Sequence, residues 1–201
     1  MSKSHKTAVV TGSTGGIGQE LCKLLAQQGW DLVLINRNRE KADAQVESLL
    51  AMGMERACRS HIVDLLNPEE IAEAARTIVG EETALSALYN VAGLLTDRPT
   101  KSPQGIEGHF VVNTLAPYLF AKGLRSLLAK GATKDHPSVV VNFSSSAIKG
   151  VKKLELDRLT DPNNSGGLMG AYAQPKMALT VTADCRKLLS LLFREYAIIS
   201  A

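Results

Sequence analysis

Short apolar runs alternate along this chain with segments whose apolar residues return every three or four positions. Ala8-Val9-Val10, Leu32-Val33-Leu34-Ile35 and the stretches near 57–63, 85–91 and 138–143 read as buried strands. Between them, Ile17, Leu21, Leu24 and Leu25 mark a first amphipathic helix. Ala42, Val46, Leu49 and Leu50 mark a second, and Ile71, Ala74, Ala75 and Ile78 a third. A longer helical stretch covers about 106–129, with Pro117 expected to kink it. A further helix is expected over about 172–193, and residues 196–199 read as a sixth strand that has barely begun when the chain stops.

The punctuation agrees with this division. Gly29 and Gly53 are placed to end the first two helices. Asn67-Pro68-Glu69-Glu70 supplies a cap, a first-position proline and first-turn acids for the third. Strands that are apolar on both faces and alternate with helices predict a parallel sheet covered on both sides. Right-handed crossovers then give a doubly wound α/β fold. No repeat and no linker divides it, so 1–201 is expected to be one domain that ends early, within the sixth strand.

Composition adds exclusions. Hydrophobic residues make up 45% of the 201, enough for one sizeable core. The net charge of +3 is scattered. The Ser4-His5-Lys6 start and Lys149, Lys152 and Lys153 read as solvated surface, so no nucleic-acid partner is expected. No apolar run is long enough to cross a bilayer, and the first strand starts too early to leave room for a targeting signal. Cys22, Cys58 and Cys185 are odd in number and lack metal-ligand spacing. They predict reduced thiols, a cytoplasmic location and no metal site, with Cys22 and Cys185 packed within helices.

Chemistry enters with Thr11-Gly12-Ser13-Thr14-Gly15-Gly16-Ile17-Gly18. This turn joins the first strand to the first helix. It would bring backbone N–H groups and the positive helix end up to a phosphate, with glycines where a Cβ would block the approach. The expected binding residues are Gly12, Ser13, Thr14, Gly16, Ile17 and Gly18. Ligands of such sheets lie beyond the strand C-terminal ends, where three more segments fall. After the second strand, Asn36-Arg37-Asn38-Arg39 offers no acid for a ribose hydroxyl. Arg37 either meets a 2′-phosphate or opens the next helix in solvent. After the third strand, Asp64 and Leu65 either meet an adenine ring or begin the next helix, with Asp64 as a cap. After the fourth, Asn90, Ala92 and Gly93 allow close approach of a nucleotide or simply turn the chain. In Tyr172-Ala173-Gln174-Pro175-Lys176, the phenol and ammonium share one helix face. A nearby ammonium favours the phenolate and moves the tyrosine toward working acid-base range.

The ordered set Thr11-Gly12-x-x-x-Gly16-x-Gly18, Asn90-x-Ala92-Gly93, Asn113, Ser145 and Tyr172-x-x-x-Lys176 resembles the short-chain dehydrogenase/reductase family. The resemblance covers nearly the whole chain. It implies a Rossmann-like nucleotide-binding sheet and hydride transfer to or from a small-molecule carbonyl or alcohol. By the same resemblance, Tyr172 is the acid-base catalyst and Lys176 binds the nicotinamide ribose and tunes Tyr172. Ser145 orients the reacting oxygen, with Ser144 and Ser146 as alternatives, and Asn113 helps to hold a proton-relay water. The step of 27 positions from Ser145 to Tyr172, together with Asn36–Lys41, Gly105-Ile106-Glu107 and Leu156-Asp157, resembles the retinol-dehydrogenase-like and protochlorophyllide-reductase-like branch. That branch mostly uses NADP(H), and its two long helices imply a homodimer. A non-catalytic NADP(H)-binding protein or an inactive truncated product is the alternative.

Three departures stand against the family pattern. Val91 follows Asn90 where a second asparagine is commoner. Pro175 precedes the lysine, which is expected to be tolerable only if Tyr172 lies in the first helical turn. The family's Pro-Gly turn, substrate-covering segment and last strand are expected to be lacking beyond Ala201.

Overall fold

In the computed structural model, which describes residues 6–52, 58–161, 163, 167–184 and 197–200, all strands run parallel in one sheet. They are β1 (Thr7–Thr11), β2 (Asp31–Asn36), β3 (Cys58–Ile62), β4 (Ala87–Asn90), β5 (Val139–Asn142) and β6 (Ala197–Ser200). The spatial order is β3-β2-β1-β4-β5-β6. The chain therefore winds outward in one direction from β1 to β3, then returns past β1 to β4. The crevice at that reversal, beyond the C-terminal ends of β1 and β4, is where such sheets bind ligands.

Alternate side chains along β1 serve opposite faces. Val9 joins Val33, Ile35, Leu88 and Val140 against α3 (Pro68–Glu81), α5 (Ala116–Gly123) and α6 (Arg125–Gly131). Ala8 and Val10 join Leu32, Leu34 and Ala87 against α1 (Gly16–Gln27) and α2 (Arg39–Ala51). Both faces are thus covered, as the continuous apolar strands require. The third helix buries Ile71, Ala74, Ala75 and Ile78, the four residues read from its periodicity. Asn67 caps it by accepting from Glu69 N–H at 3.1 Å.

Other elements depart from expectation. Helix α1 buries Gly18, Cys22 and Leu25; of the expected stripe, Leu25 faces the core and Leu21 packs at its edge, while Ile17 and Leu24 do not. Ile17 and Leu24 are 63% and 56% exposed, and Ile17 faces the crevice instead of the core. Helix α2 carries Gln45 on its buried face, while Leu50 is exposed. Gly53 lies outside the described residues, as do Tyr196 and Cys185.

The expected long helix near 106–129 is divided. A turn of helix α4 (Gly108–Phe110) widens into a π-helical turn over Val111–Leu115 before α5 begins. Pro117 lies at the start of α5 and has no N–H to offer the carbonyl of Asn113, so the break falls before the proline. A 3₁₀ turn (Ser146–Gly150) and helix α7 (Leu156–Thr160) occupy part of the polar excursion before Gly167.

Helix α8 spans Gly167–Asp184 and starts five residues earlier than Tyr172. Its first turn carries exposed Leu168 and Met169, so no inward stripe announces it. Tyr172 is therefore beyond the first turn, and Pro175 sits inside the helix. The condition set for that proline fails, yet the helix continues. Thr114 Oγ1 supports it from the π-helical turn by donating to the Pro175 carbonyl at 2.8 Å. Strand β6 pairs in register with all four residues of β5.

Candidate active site

The glycine turn is tight because its backbone closes on itself. Gly15 N–H donates to the Gly12 carbonyl at 3.1 Å, and Gln19 N–H to the Gly15 carbonyl at 2.8 Å. Gly12 adopts φ +66°, and a methyl group on it would stand 2.7 Å from Ala92 Cα. Only glycine satisfies both conditions. Gly16 differs: nothing lies within 4 Å of where its Cβ would be, and the residue borders a cleft.

The cleft has a volume of about 450 Å³ and collects the ends of four strands. Gly12, Thr14, Gly16, Ile17 and Gly18 form one wall, and Arg37, Asp64 and Leu65 the next. Ala92, Gly93 and Leu94 close it beyond β4. The N–H groups of Gly16, Ile17 and Gly18 belong to the first turn of α1, which has no intrahelical acceptors for them. No acidic residue stands in that turn. The wall is therefore electropositive, which suits a phosphate.

Two expected binding residues turn away from the cleft. Ser13 is fully buried; its hydroxyl lies 2.6 Å from Gln45 Oε1 and 3.0 Å from Asn36 Oδ1. It braces the turn from behind, and its side chain does not face a ligand. Asn90 is 2% exposed and donates from Nδ2 to Asn142 Oδ1 at 2.8 Å, tying β4 to β5. Its Nδ2 is committed to that bond, while its buried Oδ1 has no hydrogen-bond partner. Thr14 does line the cleft, but its N–H donates to Asn36 Oδ1 at 3.2 Å. Asp64 Oδ1 accepts from Leu66 N–H at 3.0 Å, an Asx-type turn, while the residue still borders the cleft. The helix cap is Asn67.

Missed at the sequence level were Asn36 and Gln45, whose amides hold Ser13 and Thr14. Gln45 Nε2 donates to the Ser13 carbonyl at 2.7 Å. A polar residue at a core position of α2 was the available signal.

At the far end, Gly93 joins the cleft to a second group of residues. A methyl group there would stand 3.4 Å from Asn113 Oδ1 and 3.8 Å from Lys176 Nζ. Asn113 is fully buried and grips Leu94 twice: Oδ1 accepts its N–H, and Nδ2 donates to its carbonyl, both at 2.9 Å. Lys176 is 3% exposed, and burial lowers its pKa to about 8. Its ammonium donates to the Phe143 carbonyl at 2.5 Å and lies 5.9 Å from the centre of the Tyr172 ring.

The three serines after β5 have different hydrogen-bonding states. Thr180 Oγ1 donates to the Lys176 carbonyl at 2.9 Å, so the hydrogen in its 2.7 Å contact with Ser144 comes from Ser144. Ser145 Oγ accepts from Ala147 N–H at 3.2 Å, which leaves its own hydrogen to donate elsewhere. Ser146 is exposed at the start of the 3₁₀ turn. Of the three, Ser145 has a half-buried hydroxyl and an uncommitted proton.

The model of the short chain dehydrogenase family matches residues 6–154. The chain belongs to the short-chain dehydrogenases. This short-chain dehydrogenase is 32% identical over 145 residues to the short-chain dehydrogenase/reductase prx1 of Penicillium rubens, covering 72% of this chain and 42% of that protein. It is 29% identical over 177 residues to human retinol dehydrogenase 13, covering 88% of this chain and 52% of that one. The chain thus spans about half the length of these curated relatives. A crystal structure of a metagenomic short-chain oxidoreductase in complex with NADP superposes with a TM-score of 0.74 at 24% identity, over 98% of this chain and 80% of that one.

Among the described residues, no helix is long and apolar enough to cross a membrane, and no three His, Cys, Asp or Glu side chains gather as metal ligands. Cys22 and Cys58 are unbridged thiols. Burial pushes them up to about 12 and about 11, so neither is a nucleophile at neutral pH.

Proposed function

We propose that the protein is an NADP(H)-dependent oxidoreductase that interconverts a carbonyl and an alcohol. The open direction at Gly16 and the electropositive first turn of α1 fit a dinucleotide pyrophosphate. Exposed Arg37 at the cleft edge fits the 2′-phosphate of NADP, a group present in the metagenomic relative's complex. When bound, the nicotinamide supplies or accepts the hydride. The observation that carries the reading is the placement of buried Lys176 beside Tyr172 and Gly93, at the end of that cleft.

In this reading Tyr172 gives or takes the proton at the substrate oxygen. Ser145 donates its free hydrogen to the same oxygen, stabilising the charge that gathers there. Lys176, already desolvated, lies beside the Tyr172 ring and reaches the ribose. Asn113 holds the Leu94 edge and supports the proton path.

An apolar alcohol or aldehyde is the proposed substrate. Leu168 and Met169 precede Tyr172 by four and three residues, on the same helical face, and both are exposed. Retinol, in the human relative's name, is an alcohol of that character. The pair of free thiols supports a cytoplasmic location. Exposed Tyr118 on α5 and Val181 on α8 support self-pairing through these helices.

The test is calorimetric titration with NADPH and NADH, followed by turnover on apolar alcohols and aldehydes of increasing chain length. NADPH-selective binding with turnover that improves with chain length is expected. Selective binding with no turnover across the panel would favour the non-catalytic alternative, and absence of NADPH binding would reject both.

A further inference from the structure

Two buried side chains of one short helical segment hold the chain that follows β4. Asn113 grips both main-chain polar groups of Leu94. One turn earlier, His109 Nε2 accepts the N–H of Thr96 at 3.2 Å. Four residues along a helix advance about 6 Å, and two residues of extended chain about 6.6 Å. The spacings match, so a helical i, i+4 pair clamps residues i and i+2 of the neighbouring segment.

His109 acts as an acceptor only because its other nitrogen is committed. Nδ1 lies 2.7 Å from Glu107 Oε1, so Nδ1 carries the hydrogen and Nε2 keeps a lone pair. Glu107 is held in turn: Oε2 accepts from Phe110 N–H at 2.8 Å, and its main-chain N–H donates to Thr160 in α7. Both residues are nearly inaccessible, at 3% for His109 and 4% for Glu107. A buried acid-imidazole pair of this kind is more than a packing choice, since an apolar pair would fill the same space without desolvating a carboxyl group.

We infer that His109, oriented by Glu107, is a positioning residue of the active site: with Asn113 it sets the Leu94 wall against which the cofactor is held. The inference rests on the NADP(H) reading above. His109 touches neither cofactor nor substrate and acts through Thr96 and Leu94.

Two substitutions separate positioning from general support. His109→Gln places a carbonyl near the former Nε2, keeping the acceptor for Thr96 while losing the donor to Glu107. His109→Asn places its amide near the former Nδ1, keeping the bond to Glu107 while leaving Thr96 N–H without an acceptor. Stability and affinity should therefore change in opposite order. The glutamine variant is expected to melt lower yet bind NADPH within about twofold of the parent. The asparagine variant is expected to melt near the parent yet bind about tenfold more weakly, the scale of one lost hydrogen bond. Amide hydrogen exchange at Thr96 should accelerate in the asparagine variant alone. NADPH affinity that follows melting temperature in both variants would overturn the inference. If the parent itself fails to bind NADPH, the functional reading falls, and equal exchange at Thr96 in both variants would still overturn the clamp.

Discussion

Lys176 Nζ donates to the main-chain oxygen of Phe143 across 2.5 Å, binding helix α8 to the end of strand β5. The same ammonium lies 5.9 Å from the centre of the Tyr172 ring. One buried cation therefore serves a strand end and a phenol together. Removing only the phenol oxygen leaves the first contact untouched. Tyr172→Phe should abolish turnover while NADPH affinity in a calorimetric titration stays near the parent value. Retained turnover would reject Tyr172 as the acid-base group.

The serines separate on where their hydrogens go. Ser144 donates to Thr180, whereas Ser145 only accepts, from Ala147. Ser145→Ala should lower kcat by roughly a hundredfold or more, the scale of losing one donor to a developing oxyanion. Ser144→Ala should lower the melting temperature and leave kcat within a few-fold. Steady-state kinetics on both variants checks the assignment, and the opposite ranking would move the role to Ser144.

Two glycines of one turn should fail in different ways. Gly16 faces open cleft, and its φ is not in the left-handed region. Gly16→Val should abolish NADPH binding with most of the fold kept. A methyl on Gly18 would instead run into the Gly12 carbonyl and come within 2.8 Å of Ser13 Cα. Gly18→Ala should lower the melting temperature as well as binding. Circular dichroism melts beside cofactor titrations distinguish the two, and parent-like NADPH affinity in Gly16→Val would place the phosphates elsewhere.

How much of this was legible in the sequence depends on periodicity. The α3 stripe of Ile71, Ala74, Ala75 and Ile78 was readable because it packs on a uniform apolar sheet face. The α1 stripe was half legible: Leu21 and Leu25 pack on the core, but Ile17 borders the cleft and Gly18 is buried by close approach, so hydrophobicity and burial part company there. The division near Asn113 was hidden for a different reason. A π-helical turn changes hydrogen bonding without changing the apolar pattern, and Pro117 marks its far side only. The glycine turn, Tyr172 and Lys176 were legible as spacing. The bracing by Asn36 and Gln45 was not, since amides on core-facing positions declare no partner until the fold brings Ser13 to them.

The proposed NADPH preference rests on Arg37. It is exposed at the cleft edge, and Asn36 beside it is committed to Ser13 and Thr14. A charge-assisted hydrogen bond contributes roughly 1.5–3 kcal/mol. Arg37→Ala should therefore weaken NADPH by about ten- to a hundredfold and leave NADH nearly unchanged. Equal losses for both cofactors in parallel titrations would remove Arg37 from the 2′-phosphate.

Lys176 also predicts a pH dependence of stability. Burial lowers its pKa from 10.5 to about 8 in the folded chain. Between those values the unfolded chain binds the proton and the folded chain does not, so the unfolded state holds more protons and stability rises with pH. Below about pH 8 the full cost of the buried ammonium is present; it is relieved as the pH climbs toward 10.5. The size is roughly 3 kcal/mol, from about 1.4 kcal/mol for each pKa unit. Lys176→Met removes the titrating group and should flatten this part of the profile. The variant should gain on the parent near pH 7 and lose that gain near pH 10, even though its NADPH affinity falls. Urea unfolding at both pH values measures the difference. A stability gap between parent and variant that does not change across this window would mean that the ammonium is better solvated than its burial implies.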